Sequence, residues 1–255
     1  MAPSFTAQSI GSVTLGGEPD SGSHLQRSAM DQSWKFGGVV FDLDGTLVDT
    51  APDVYRCANL ALQTMGMRPI SLEEAKRSIG PGPDNFAKIV LPADQQHRLD
   101  EFIRVFRRYY DVHCLDSTRP FPGIIEMLEE MAELPLAVAS NKPRVYTLRI
   151  LEALGLKRFF RVILGPENAS RLKPSPDMLL AACTALAVRP AAALMVGDTD
   201  NDILAARAAG MRVCAVAWGY SSESELACLE PDFLIHAPRE LPGLCCPKPD
   251  LADRE

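Results

Sequence analysis

The chain has 255 residues, 47% of them hydrophobic, and a formal net charge of −7. That length and apolar content suit one large domain, or a core with a smaller insert. The acidic balance without a long basic run argues against nucleic acid as a partner, and no apolar stretch is long enough to cross a bilayer.

Residues 1–35 include "GSVTLGGEPDSGSH", rich in Gly, Ser and Pro and without a period. They read as a disordered lead-in or as residues added to the natural chain. They lack the apolar segment of a secretory signal, and Met30 offers a second start. "GGVVFDL" (37–43) is the first candidate strand; it runs into Asp42 and Asp44, with Gly45 and Thr46 directly after. From about 53 to 121 the pattern is helical only. Thr50 or Asp49 caps a first helix with Pro52 in its first turn, and Val54, Cys57, Ala58, Ala61 and Met65 form its apolar stripe before Gly66 ends it. Ser71 and Glu74 form a capping box for a second helix. A short third follows around 86–90, and a long fourth carries Leu99, Phe102, Ile103, Phe106 and Tyr110 at helical spacing. Arg104, Arg107 and Arg108 on that helix read as a solvated face. The stripes read as packing, so these helices form a small bundle inserted after the first strand.

Strand-like runs then return at "PLAVAS" (135–140), "RVILG" (161–165), "ALMVGD" (193–198), "RVCAVA" (212–217) and "DFLI" (232–235). Most are apolar throughout, as in strands covered on both faces. Alternating β and α segments predict an α/β fold with a doubly wound parallel sheet. The expected layout is a lead-in over 1–35, an α/β core from 36–52 and 122–243, a helical insert over 53–121, and a loose polar tail over 244–255. Seven cysteines without metal spacing, among them the adjacent pair Cys245-Cys246, read as reduced thiols of a cytoplasmic protein.

Ligands of open α/β sheets bind outside the carboxyl ends of the strands. There the sequence puts Asp42 and Asp44 after the first strand, Ser140 after the second, and Asp198 and Asp202 in "GDTDND"; Lys173 stands in "RLKPSPDM". Carboxylates gathered so closely repel and raise each other's pKa. A divalent cation together with Lys173 resolves the conflict. Oxygen ligands without a competing His/Cys set point to Mg²⁺ rather than zinc. Asp49, Asp53, Asp200 and Asn201 read as caps.

"DLDGTLVDT", "SN" at 140–141, Lys173 with Pro174, and "GDTDND" resemble, in order, the four motifs of the haloacid dehalogenase-like hydrolase superfamily, over most of residues 37–240. The resemblance implies a Rossmann-like core with a helical cap at 53–121 that closes over a small substrate. It implies Asp42 as the nucleophile that forms an aspartyl-phosphate, and Asp44 as general acid and then base. It also implies Gly45, Thr46, Ser140 and Asn141 at the substrate phosphate, Lys173 offsetting charge, and Mg²⁺ held by Asp42, the Asp44 backbone carbonyl and Asp198. Asp202 is expected to support that shell or Lys173. The second aspartate counts against haloalkanoate dehalogenases. "SIGPGPDNF" (78–86), "SNKP", "LKPSPDM" and "WGY" (218–220) resemble the phosphoglycolate phosphatase-like branch, with Ser140 where Thr is common. A Mg²⁺-dependent phosphatase for a small phosphorylated metabolite is thus expected, 2-phosphoglycolate leading, as a monomer or homodimer. A sugar-phosphate mutase and a non-catalytic phosphate-ligand binder are the alternatives.

Overall fold

A computed structural model describes residues 35–245; the expectations for the lead-in over 1–34 and the tail over 246–255 lie outside the described residues. Six strands form one parallel sheet: β1 (Gly38–Phe41), β4 (Leu136–Ala139), β5 (Val162–Leu164), β6 (Ala193–Gly197), β7 (Arg212–Val216) and β8 (Phe233–Ile235), in the order β5-β4-β1-β6-β7-β8. All six fall inside the six apolar runs, and the α/β parallel-sheet expectation is met. β2 (Val48–Asp49) and β3 (Arg119–Pro120) were not anticipated. They make a separate antiparallel pair, Val48 opposite Pro120 and Asp49 opposite Arg119. Strands of two residues are too short to carry a hydrophobic period. Their pairing sets side by side the two points where the chain leaves for the helical insert and returns.

Side-chain alternation along the strands builds two cores, one on each face of the sheet. From β1, Val39 and Phe41 enter the first, together with Val138, Val196 and Val216. Val40 enters the second, with Ala137, Met195 and Val213, under helices α7 (Asp177–Leu186) and α8 (Asp200–Ala209). Helices α1 (Ala51–Thr64), α2 (Leu72–Ser78), α3 (Pro83–Val90) and α4 (Leu99–His113) pack on a third cluster of their own. In it, Ala58 and Ala61 of α1 meet Phe102 and Val105 of α4. Phe86, Phe102, Phe106 and Tyr110 run along it as neighbouring rings with centroids 5.1–6.1 Å apart.

Of the two caps expected at the start of α1, Asp49 acts as one, its Oδ1 accepting from the Ala51 N–H at 3.2 Å. The Thr50 hydroxyl does not cap the helix; it donates to Asp44 at 2.5 Å. The Tyr220 hydroxyl accepts from the N–H groups of Thr50 (2.8 Å) and Ala51 (3.0 Å), and donates to Asp49 (3.0 Å). A residue 170 positions away therefore shares the capping of this helix with Asp49. The box at α2 is as expected: Glu74 N–H donates to Ser71 Oγ and Ser71 N–H to Glu74.

Asp53, expected to be a cap, is fully buried. Its carboxylate accepts from the N–H groups of Ser117 and Thr118 and from the Thr118 hydroxyl, at 2.8–3.0 Å. It ties α1 to the segment entering β3. Truncation strands the two buried donors of Thr118, while the Ser117 N–H can turn to water. Asp53→Ala should lower the unfolding free energy by about 2–4 kcal/mol, read as a drop in the urea midpoint; an unshifted midpoint would show that water replaces the carboxylate at no cost.

Candidate active site

β4, β1 and β6 lie next to one another at the centre of the sheet. Asp42 follows the last residue of β1, Ser140 that of β4 and Asp198 that of β6, so three polar side chains leave one sheet edge together. The Asp42 N–H donates to Val196 O, which carries the ladder one residue beyond β1 and holds the Asp42 backbone still. Lys173 comes from the loop between β5 and α7, and Asp202 from the first turn of α8.

Lys173 is 3% exposed and reaches both acids: its ammonium donates to Asp42 Oδ1 at 2.8 Å and to Asp202 Oδ1 at 2.6 Å. Burial opposes its charge, but Asp202 and Asp42 outweigh that and hold the ammonium above its ordinary range. The second oxygen of Asp202 accepts from the Thr199 N–H and hydroxyl, so this carboxylate is spent on the lysine and on the start of α8. Asp42 keeps Oδ2 without a hydrogen bond among the described residues. Burial pushes Asp42 up to about 6, Lys173 pulling against it and Asp202 and Asp44 adding to it. Burial, then Asp202 and Asp42, put Asp198 well above the usual carboxylate range, against donors from the Tyr220 N–H and the Thr46 hydroxyl.

These are the marks of an acidic cluster short of positive charge. One oxygen each from Asp42, Asp198 and Asp202 lies within 4.8 Å of the others, and all three residues are buried. The donors are hard carboxylate oxygens with no His or Cys in the group, which fits an alkaline-earth cation and not zinc.

The remaining expected site residues divide by what their atoms already bind. Asp44 is 6% exposed and paired with Lys142, whose ammonium lies 2.9 and 3.0 Å from its two oxygens. Ser140 is buried and lines the same cavity as Asp42 and Asp44. Gly45 touches the acidic cluster: its φ is +80°, and a Cβ there would stand 2.1 Å from Asp198 Oδ2, so neither the turn nor the close approach admits a side chain. Two further expected residues have their side chains bonded within the protein. Thr46 was expected at the substrate, but its hydroxyl donates to Asp198 Oδ1 at 2.9 Å and so orients the acidic cluster. Asn141 was expected to meet phosphate from a helix start; helix α6 (Arg144–Ala153) begins three residues later, behind Pro143. Its side-chain amide donates to the carbonyls of Gly80 and Lys173 and accepts from the Lys173 N–H, all at 2.8–2.9 Å. One amide, donor and acceptor together, thereby holds the Lys173 loop and joins it to the turn between α2 and α3.

Lys142 and Tyr220 were missed. Lys142 stands in "SNKP", three residues past the end of β4, and nothing local shows that it pairs with Asp44. Tyr220 stands in "WGY", and only the fold shows its N–H donating to Asp198 Oδ2 at 2.8 Å.

A cavity of about 80 Å³ opens over Asp42, Asp44 and Ser140, closed on the far side by Phe86, Phe106 and Tyr110 of the helical insert. Among the described residues, no helix is long and apolar enough to cross a membrane.

The chain was compared with known proteins. Residues 39–216 match the sequence model of the haloacid dehalogenase-like hydrolase family. A phosphoglycolate phosphatase of Thiobacillus denitrificans is 35% identical over 204 residues, covering 77% of this chain and 90% of that one. One of Chromobacterium violaceum is 35% identical over 213 residues, covering 80% and 93%. Among solved structures, a haloacid dehalogenase-like family hydrolase of Streptococcus pneumoniae superposes with a TM-score of 0.74 at 27% identity, over 81% of this chain and 97% of that one. The matched span runs from β1 through β7 and so takes in every strand end that carries an acid, and on that span the chain belongs to the haloacid dehalogenase-like hydrolase family.

Proposed function

We propose that the chain is a Mg²⁺-dependent phosphatase of a small phosphorylated metabolite, with 2-phosphoglycolate the first candidate. One observation carries the reading: Asp42 and Asp44 line one cavity, and Asp42 has one carboxylate oxygen without a hydrogen bond among the described residues while Lys173 holds the other. The names of the relatives at 35% identity support the choice of substrate.

In this reading Asp42 Oδ2 attacks phosphorus, and the bond to the ester oxygen breaks. Asp44, having taken up a proton from solvent, gives it to the departing alcohol. Asp44 then takes a proton from water, which attacks the phosphorus of the aspartyl-phosphate; inorganic phosphate leaves and the Asp42 carboxylate is restored. Lys173 stays on Asp42 Oδ1, leaving the other oxygen to react, and offsets the charge that gathers as phosphorus accepts the nucleophile. The Ser140 hydroxyl donates to a phosphoryl oxygen. Mg²⁺ held by Asp42, Asp198 and the Asp44 carbonyl would neutralise phosphate oxygens and align the ester for in-line attack. Asp202, already bonded to Lys173 and Thr199, positions the lysine. Helices α1 to α4 act as a cap over the substrate, hinged at the β2–β3 pair. A cytosolic location fits the free thiols of Cys57, Cys114, Cys183, Cys214 and Cys228.

A panel of 2-phosphoglycolate, sugar phosphates and pyrophosphate, each with Mg²⁺, tests the reading. Catalytic phosphate release is expected, strongest for 2-phosphoglycolate and lost on exhaustive chelation. An isomerised sugar phosphate without free phosphate would replace the phosphatase with a mutase, and full activity after chelation would refute the metal.

A further inference from the structure

The part of the cavity away from Asp42 has a chemistry of its own. Tyr110 is 2% exposed and lines the cavity. Its hydroxyl is the one buried side-chain polar atom with no hydrogen-bond partner among the described residues. Native structures seldom leave such a group unpaired, and one that faces a cavity is open to a ligand. Beside it lies Lys142, whose side chain is 8% exposed and whose ammonium sits 5.2 Å from the centre of the Tyr110 ring. Asp44 takes two of the three ammonium N–H groups, and one remains. Arg107, one helical turn before Tyr110 on α4, also lines the cavity and has no ion pair among the described residues. The insert contributes no carboxylate to the cavity wall; its other lining groups are chiefly aromatic and aliphatic.

The third N–H of an ammonium already paired with Asp44, an exposed guanidinium and one unpaired hydroxyl thus line a small apolar space that adjoins the proton-transfer residue. A neutral alcohol would leave the Lys142 N–H and the Tyr110 hydroxyl without a charged acceptor. A carboxylate one or two carbons from the ester oxygen would accept from both Lys142 and Tyr110 while phosphorus stands at Asp42. We propose that Tyr110 and Lys142, with Arg107 at the entrance, form a carboxylate-reading subsite that selects short phosphorylated hydroxy acids. The proposal rests on the phosphatase reading for the orientation of the ester, but its wall of residues was not identified from the relatives.

The test compares 2-phosphoglycolate with ethyl phosphate, which keeps the two-carbon ester and lacks the carboxylate. Both are titrated by calorimetry, with Mg²⁺, into full-length Asp42→Asn protein, which cannot turn them over. The expected result is at least about tenfold tighter binding of 2-phosphoglycolate. Adding Tyr110→Phe should remove most of that preference, since a hydrogen bond to a charged group is worth about tenfold or more. Arg107→Gln should shrink it less, because the exposed guanidinium is screened by water and salt. Equal binding of the two esters, or a preference untouched by Tyr110→Phe, overturns the subsite. Phosphate release by the wild type is scored separately. An inert wild type with the preference intact sinks the phosphatase reading and supports the subsite; an active wild type without the preference sinks the subsite alone.

Discussion

Asp42→Asn is expected to release phosphate at least about four orders of magnitude more slowly than the wild type, the scale on which removing a nucleophile acts. The argument is geometric. Asp42 lines the cavity, and its Oδ2 is the carboxylate oxygen of the cluster left without a hydrogen bond among the described residues; both oxygens of Asp44, Asp198 and Asp202 already have protein partners. An asparagine keeps the size of the side chain and its packing at the end of β1 but offers no anionic oxygen. Lys173 keeps Asp202 as a partner, so the fold should survive, with a melting temperature within about 4 °C of the wild type. Activity measured beside the melting curve separates the two effects. Near-normal turnover in a folded Asp42→Asn protein would remove Asp42 from the role of nucleophile.

Asp44→Asn is the second large loss and differs in kind. Proton transfer by a placed carboxylate contributes about a hundredfold to ten-thousandfold, and here both half-reactions draw on it. The first needs a proton for the departing alcohol. The second needs a base for water. A substrate with a good leaving group, such as p-nitrophenyl phosphate, relieves only the first. The variant given that ester should therefore accumulate phosphorylated protein, seen in the intact mass as one added phosphoryl group. The substitution also takes the negative charge from a pair in which Lys142 is 8% and Asp44 6% exposed. Breaking such a pair costs about 3–5 kcal/mol, so this variant should melt visibly lower than Asp42→Asn. Normal turnover would end the proton-shuttle role; slow turnover without phosphorylated protein would place the loss in the first half-reaction.

The differences between the sequence reading and the structure lie in partners, not positions. Asn141 was placed correctly at the end of β4, yet an amide two residues before a proline gives no sign that its bonds go to Gly80 and Lys173. Asp53 carries the signature of a first-turn acid and was read as one, since nothing local shows that Ser117 and Thr118 return against it. Thr50 satisfies the pattern of a helix cap, but Asp44 offers its hydroxyl a charged acceptor, and Tyr220 shares the helix start with Asp49. A local rule gave way in each case to a stronger partner brought in from far along the chain.

What the sequence alone determined is what depends on neighbours a few residues apart: six apolar runs that can only be covered strands, the helical periods between them, and acids placed where strands end. Those features follow from side-chain alternation and from the need to bury apolar surface, and both act within a short window. The tertiary structure alone decided which atoms remain available. It turned Lys142 onto Asp44, spent Asp202 on Lys173 and Thr46 on Asp198, and left Asp42 Oδ2 and the Tyr110 hydroxyl, on two residues that line one cavity, without a hydrogen bond among the described residues. A hydrogen bond is set by distance in space, and these bonds join residues 29–152 positions apart, beyond the reach of any local pattern.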